Sequence, residues 1–253
     1  MCLITGESDF TELDGYTRIV GGQDALENFA IYQASIHKHN ENQQWHTCGG
    51  SIIHEEWVLT AGLCTYGVNA KEVYIVVGST RLKSGDDRYK IKKIITHENY
   101  AKEYLRNDIG LMKVDGKIKM KKNVKIIKLR KQPVPVGTTC ALTGWGYTND
   151  KGTMPNKFQI LFFRIITKKD CNKQLKRSNS EPIDDKQLCV RGPHKKVACR
   201  GDSGGPMVVS DGKKGVVQVG VVSWGTIPCA KNQPDVFASV SGYYDWIEIN
   251  MKD

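Results

Sequence analysis

Residues 201–206 have the sequence Gly-Asp-Ser-Gly-Gly-Pro, and this short segment decides how the rest of the chain is interpreted. Glycines on both sides of a serine let the backbone adopt dihedral angles that expose the hydroxyl group. They also free the N–H groups of Gly201 and Ser203 to point at an oxyanion that develops on a substrate. A glycine-rich turn without chemistry is the plain alternative, so the catalytic interpretation needs support from the surrounding sequence.

Composition indicates a folded globular protein, since 40% of the 253 residues are apolar and 25% are charged. No apolar run approaches the ~18 residues that span a membrane, so no membrane association is expected. The net charge of +10 favours acidic partners. Nucleic acid is not expected among them, because no nucleic-acid-binding motif occurs. Neither GxGxxG nor a P-loop is present, and we expect no cofactor and no metal.

The chain contains eight cysteines, an even number without any CxxC pair. This pattern favours disulfides over a zinc site or a thioredoxin-like redox motif. Disulfides in turn indicate an oxidising, extracellular setting. Residues 1–10 lack the basic start and the apolar core of a signal peptide. We therefore expect a secreted protein whose leader is absent from this sequence.

Short β-rich runs recur between polar turns, which predicts an all-β sandwich or barrel. The predicted strands are 31–37, 73–77, 91–96, 109–114, 124–129, 139–145, 158–166, 216–224 and 236–240. Two prolines in segment 129–137 predict a linker between two β halves. Near the C-terminus, Tyr243, Trp246, Ile247 and Met251 recur at helical spacing and predict an amphipathic helix.

Several segments resemble those of the chymotrypsin/trypsin family of serine proteases, in the family's order and spacing. They are RIVGG (18–22), HTCGGSII (46–53), WVLTAGLC (57–64), NDIGLMKV (107–114), TGWG (143–146), GDSGGP (201–206) and VSWG (222–225). The resemblance implies two six-stranded antiparallel β-barrels with the active site in the crevice between them. The expected units are a pro-segment (1–18), an N-terminal barrel (19–128), a C-terminal barrel (129–240) and a C-terminal helix (241–253).

The resemblance assigns the three catalytic positions to Leu63, Asp108 and Ser203. The family has a general-base histidine where this chain has Leu63, and leucine cannot take the serine proton. Loss of that histidine costs a serine protease roughly six orders of magnitude in turnover. The sequence therefore predicts no functional catalytic residue and an inactive homologue that is not an enzyme. The oxyanion donors Gly201 and Ser203 are retained, so the alternative is an unconventional hydrolase that uses Ser203 without a histidine base.

A displaced histidine could in principle replace the missing base. His46 lies two residues before Cys48, and His97 lies in the loop that leads to Asp108. The remaining histidines, expected at the surface, are His37, His39, His54 and His194. We expect none of them to serve the site.

The pocket for the substrate side chain is also changed from the family pattern. Trypsin-like enzymes carry an aspartate six residues before the serine, and here that position is Val197. Asp235 replaces a family glycine and is expected to narrow the pocket, so preference for Lys or Arg is expected to be lost. The other pocket positions that the resemblance assigns are Arg200, Ser223, Trp224 and Gly225.

The resemblance also assigns activation and cross-linking. Cleavage after Arg18 would free the Ile19 ammonium to pair with Asp202 and order the pocket. The implied disulfides are Cys48–Cys64, Cys171–Cys189 and Cys199–Cys229. For Cys2 and Cys140, whose usual partners are replaced, two alternatives stay open: they pair with each other, or both are free or intermolecular.

The stretch from Lys113 to Lys131 carries nine basic residues against the single acid Asp115. It is interpreted either as a solvated lysine face or as an exosite for an acidic protein or a sulfated glycan.

A finer resemblance, through NDIGLMKV (107–114) and TKKDCNKQL (167–175), links the chain to the trypsin-like group of mite allergens. With the histidine lost, it is similar to the scabies mite inactivated serine protease paralogues. That similarity implies a zymogen-like pseudoenzyme that is secreted, binds host proteins and inhibits complement as a means of immune evasion.

Overall fold

The computed structural model describes residues 23–24, 29–82, 87–148, 152–178, 180–192, 198–212, 215–225, 229 and 233–252. Over these residues the chain forms fourteen strands and two α-helices. The strands are β1 (Gln23–Asp24), β2 (Gln33–His39), β3 (Gln44–Ile52), β4 (Trp57–Thr60), β5 (Val73–Val77), β6 (Asp87–Thr96), β7 (Gly110–Val114), β8 (Lys128–Leu129), β9 (Thr139–Gly144), β10 (Gln159–Ile165), β11 (Gln187–Arg191), β12 (Pro206–Ser210), β13 (Val216–Trp224) and β14 (Asp235–Ser239). The helices are α1 (Lys168–Leu175) and α2 (Val240–Asn250).

The first half of the chain closes into an antiparallel barrel in the order β2-β3-β4-β7-β6-β5. Its interior is filled by large apolar side chains that are almost fully buried. They include Ile36, Ile52, Leu59, Ile75 and Leu111. Closure leaves no unpaired sheet edge within the barrel, so its rigidity can hold loops at both rims.

The second half forms the sheet β10-β11-β14-β13-β12-β9, which the pairing of β9 with β10 closes into another barrel. β1 adds to β10, and β8 pairs with β13 in parallel. The predicted all-β class is confirmed, as are two six-stranded antiparallel barrels and a C-terminal helix. The loops between the barrels are where the resemblance places the active site.

The strand predictions are right for β5 and β13 and wrong by omission for β3, β4, β11 and β12. Strand β3 contains Gly49 and Gly50, which weaken a strand pattern. Glycine is required at position 49 because a Cβ there would lie 2.8 Å from the Cα of Gly205. The predicted strand 124–129 is reduced to Lys128–Leu129.

Helix α1 is absent from the sequence predictions because it is polar and short. Only Cys171 and Leu175 are buried in it. The Thr167 side chain caps its N-terminus by accepting a hydrogen bond from the Asp170 N–H at 3.0 Å. Helix α2 is present where predicted, with Tyr243 and Ile247 buried. No helix in the described ranges is long and apolar enough to cross a membrane.

The three disulfides are the pairs that the resemblance implies, Cys48–Cys64, Cys171–Cys189 and Cys199–Cys229. Cys140 is buried in the second barrel and forms no disulfide within the described residues, and burial raises the pKa of its thiol to about 12. Cys2 lies outside the described residues, so its pairing with Cys140 stays a prediction.

Candidate active site

The loop that carries Ser203 is fixed to both barrels by backbone hydrogen bonds. The Ser203 carbonyl accepts from the Gly49 N–H of the first barrel at 2.8 Å. The Gly204 N–H donates to the Val222 carbonyl of the second barrel at 2.8 Å. Gly204 has φ +80°, and a Cβ there would lie 2.1 Å from Thr60 Oγ1. The glycine is therefore required both by its dihedral angle and by the close approach of the first barrel.

The N–H groups of Gly201 and Ser203 have no acceptor among the described backbone and side-chain groups. Three neighbouring N–H groups are used, since Asp202 donates to Cys199, Gly204 to Val222 and Gly205 to Asp202. Gly201 has φ +99°, a backbone conformation that favours glycine. Two free donors beside a serine can stabilise an oxyanion, as the sequence predicts.

Asp108 is only 2% exposed, yet its carboxylate is well supplied with donors. Ser223 Oγ donates to Oδ2 at 2.5 Å, and the Leu63 N–H donates to Oδ1 at 2.7 Å. Burial raises the pKa of Asp108 to about 6, and the bonds from Ser223, Leu63 and Gly62 work in the opposite direction. Backbone N–H groups thus satisfy a buried acid that normally receives an imidazole N–H.

Leu63 lies in a short 3₁₀ helix, Gly62–Cys64, and its half-buried side chain packs against the first barrel's core. A Cβ at Gly62 would lie 3.2 Å from Asp108 Oδ1, so the turn approaches the acid closely. No histidine in the described part of the chain is hydrogen-bonded to Asp108.

His46 is the histidine that contacts the nucleophile loop. Its Nε2 lies 2.8 Å from the Gly201 carbonyl oxygen, and its Nδ1 lies 2.7 Å from Ser35 Oγ. The edge of the ring faces Trp145, with the centroids 5.8 Å apart. Burial lowers the pKa of His46 to about 4, so the ring is neutral at pH 7. The expectation that no histidine serves the site is therefore wrong.

One of the other histidines also differs from expectation. His37 is buried, although a surface position was expected, while His39 and His54 are exposed as predicted. His97 is buried and stacks on Trp246 with centroids 5.0 Å apart. His194 lies outside the described residues.

Asp235 is buried at the wall of the pocket. Its Oδ2 accepts a hydrogen bond from the Ala198 N–H at 3.0 Å. Its Oδ1 lies 2.5 Å from where a Cβ of Gly225 would stand, so the side chain lies against the Gly225 backbone. Burial raises the pKa of Asp235 to about 8, with the nearby Asp202 acting in the same direction. At neutral pH this pocket therefore holds a carboxylic acid that is mostly uncharged.

The other assigned pocket residues have distinct environments. The Ser223 hydroxyl donates its hydrogen bond to Asp108. The buried Trp224 Nε1 has no hydrogen-bond partner within the described residues. Arg200 is exposed, and Val197 lies outside the described residues.

Asp202 points away from His46 and into the second barrel. Oδ1 accepts from the Gly146 N–H at 2.8 Å, and Oδ2 accepts from the Cys199 N–H at 3.0 Å. Burial raises the pKa of Asp202 to about 6. A Cβ at Gly144 or Gly146 would lie 2.2 or 2.1 Å from an Asp202 oxygen, which explains both glycines of the TGWG segment. The predicted activation site, Arg18 and Ile19, lies outside the described residues.

Comparison with known proteins matches the family model described as Trypsin to residues 19–247. This chain belongs to the trypsin family. Among the trypsin-family relatives, trypsin theta of Drosophila melanogaster is 35% identical over 91% of this chain and 85% of its own length. Trypsin-1 of Astacus astacus is 33% identical over 92% and 99%. Human kallikrein-7 is 36% identical over 81% and 78%.

The prediction that the chain is not an enzyme is contradicted by these findings. The relatives bear the names of trypsins, a chymotrypsin and a kallikrein, which are serine proteases, and they align with nearly the whole trypsin-family chain. The structure also places the buried His46 against the nucleophile loop, 2.8 Å from Gly201. The three disulfides and the trypsin-like relatives together indicate an extracellular protein.

Proposed function

We propose that this chain is a secreted serine hydrolase of the trypsin family in which Ser203 is the nucleophile. The observation that carries the proposal is the pair of free N–H donors, Gly201 and Ser203, on a loop bonded to both barrels. A carbonyl oxygen of the substrate would accept from these donors while Ser203 Oγ attacks its carbon. The negative charge that develops on that oxygen then meets donors already in place, which is a large part of catalysis by this kind of site.

The proposed reaction is slow, for a reason that the hydrogen bonds supply. Asp108 accepts from Ser223, Leu63 and Gly62, and because residue 63 is leucine no histidine of the described residues is held by Asp108 toward Ser203. Both ring nitrogens of His46 are engaged, by Gly201 and Ser35. An oxyanion hole and substrate binding without a complete triad retain roughly 10³–10⁴-fold catalysis over water. We expect Ser203-dependent turnover to exceed that background, on activated esters before peptides.

The pocket favours small or hydrogen-bonding substrate side chains. A neutral Asp235 can donate one hydrogen bond and accept another, but it does not offer the full negative charge that binds Lys or Arg. Its side chain also fills space beside Gly225.

Exchange of Ser203 for alanine tests the proposal. Ser203→Ala is expected to reduce hydrolysis of a p-nitrophenyl ester to the background that the oxyanion donors and binding alone supply, because the attacking oxygen is gone and the donors remain. Ser210→Ala, a half-exposed serine at the end of β12, is the matched control and should leave hydrolysis unchanged. Equal rates for the unmodified protein and Ser203→Ala would contradict the proposed function.

We propose a second function, binding of acidic host molecules, on the basis of the Lys113–Lys131 stretch. Four of its exposed lysines have no acidic partner within the described residues, whereas Lys117 pairs with Glu55 and Lys121 with Asp87. The four are Lys119, Lys122, Lys125 and Lys128. Exposed Met120 and Ile126 lie between them in sequence. Basic groups interleaved with apolar ones suit an acidic protein surface or a sulfated glycan. The resemblance to the mite group supports complement components as the first proteins to test.

Charge reversal distinguishes this exosite from a merely solvated face. The double variant Lys122→Glu/Lys125→Glu is expected to weaken binding to heparin and to purified complement proteins by about tenfold or more, with weaker salt dependence. The control Lys169→Glu/Lys173→Glu removes the same charge from α1 on the second barrel. If both doubles weaken binding equally, net charge explains the binding and the exosite is refuted.

A further inference from the structure

Three side chains connect the nucleophile loop to the opposite rim of the first barrel. Ser35 and His37 belong to β2, and His46 belongs to β3. The strand register places His37 directly opposite His46, just after a β-bulge between Ile36 and His37. Ser35 Oγ lies 2.7 Å from His46 Nδ1 and 2.8 Å from His37 Nε2. All three residues are buried.

The Gly201 carbonyl, which ends this series of hydrogen bonds, fixes the direction of every bond in the series. The Gly201 carbonyl can only accept, so His46 Nε2 must carry the proton. In the neutral ring Nδ1 then has a lone pair, and Ser35 must donate its hydroxyl hydrogen to it. With that hydrogen used, Ser35 Oγ accepts from His37, so His37 is protonated on Nε2.

His37, at the other end of this series of hydrogen bonds, is held by stacking on an aromatic ring. The His37 ring lies parallel to Tyr74, with centroids 5.1 Å apart and planes 19° apart. The Tyr74 hydroxyl donates to Gln44 Oε1 at 2.7 Å, and Arg88 donates to the same oxygen at 3.0 Å. Arg88 also lies over the Tyr74 ring at 5.2 Å. Gln44, Tyr74 and Arg88 line a cavity of about 440 Å³ at the β2–β3 turn.

We propose that His37 is a positioning residue that orients the oxyanion hole through Ser35 and His46. The proposal rests on the hydrolase function proposed above. The Gly201 carbonyl belongs to the peptide that joins Gly201 to Asp202, so the bond from His46 fixes the ψ angle of a glycine that is otherwise free to rotate. Fixing that angle sets the direction of the neighbouring donors. His37 keeps the Ser35 hydrogen aimed at His46 and thereby keeps His46 in the tautomer that bonds Gly201.

The test removes the His37 donor and keeps its ring. In His37→Phe the stack on Tyr74 is retained but Ser35 loses its donor. We expect shifts of the Gly201 amide and of the His46 ring nitrogens in ¹⁵N NMR spectra. We also expect kcat for ester hydrolysis to fall by about tenfold at unchanged KM, less than the 10²–10³ of deleting an oxyanion donor. His37→Gln, whose amide N–H can donate to Ser35, should restore both signals.

His39→Phe is the matched control, because His39 is exposed on the same strand, contacts Tyr74 and does not bond Ser35. Ser35→Ala removes the hydroxyl at the centre of the hydrogen-bond series and is a second variant should His37→Phe not fold. The proposal is overturned if the chemical shift of the Gly201 amide is the same in His37→Phe as in the His39→Phe control. It is also overturned if that shift changes while kcat does not. Because the NMR signal needs no turnover, failure of Ser203-dependent hydrolysis is distinguishable from failure of this connection.

Discussion

Replacement of Leu63 by histidine is expected to raise kcat for ester hydrolysis by about 10²-fold or more, the usual contribution of a positioned general base. The turn that carries residue 63 is already bonded to Asp108 through its N–H group at 2.7 Å. That carboxylate has about four lone-pair sites and three donors, so one site remains for an imidazole N–H. A histidine here would therefore gain both an orienting acid and a stabilised imidazolium.

The measurement compares Leu63→His with Leu63→Gln, which is similar in size and cannot act as a base, and with Leu63→His/Ser203→Ala. Only Leu63→His should be fast. Cleavage after Lys or Arg should stay low, because Asp235 remains in the pocket. A rise in Leu63→Gln as large as in Leu63→His would show that removal of leucine, not proton transfer, is responsible. Robust cleavage after Lys or Arg would refute the interpretation of the pocket.

Asp235→Asn is expected to stabilise the protein increasingly as pH rises. The folded state raises the pKa of Asp235 from its ordinary value of 3.8 to about 8. The unfolded chain releases this proton near pH 4, so the folded state loses stability between pH 4 and 8, by about 1.4 kcal/mol for each pH unit. Asparagine does not titrate and can still accept from Ala198. The stability of the variant relative to the unmodified protein should rise by about 4 kcal/mol between pH 5 and pH 8.

Urea unfolding at several pH values, with the disulfides intact, measures this difference. Asp115→Asn removes an exposed carboxylate of the first barrel and is the matched control. A constant free-energy difference between the unmodified protein and Asp235→Asn from pH 5 to 8 would mean that Asp235 is already ionised in the folded state.

Sequence patterns predict the fold here mainly through glycine-rich segments whose reasons are tertiary. Gly144 and Gly146 lie against Asp202, and Gly204 lies against Thr60, so each marks a close approach between distant parts of the chain. Local hydrophobic periodicity is a weaker guide. β4 is buried along its whole length, and the nearly buried β12 begins at a proline, so neither shows the alternation of a half-exposed strand.

The site is less predictable where its hydrogen bonds are made by backbone groups. The N–H groups of Gly62 and Leu63 supply Asp108 with donors that no residue type reveals. The contact of His46 with Gly201 joins residues 155 positions apart in sequence. His37 is buried, although a surface position is expected from the sequence. A β-bulge, which sequence does not show, places it opposite His46.

The attachment of the nucleophile loop has a consequence for partly folded molecules. The loop receives one hydrogen bond from Gly49 in the first barrel and gives another to Val222 in the second. Asp108 and Ser223 likewise join the barrels at 2.5 Å. A molecule in which either barrel has opened therefore loses the oxyanion donors and the acid at once. We therefore expect the reactivity proposed for Ser203 to require docking of the two halves, so that a partly folded molecule is inert.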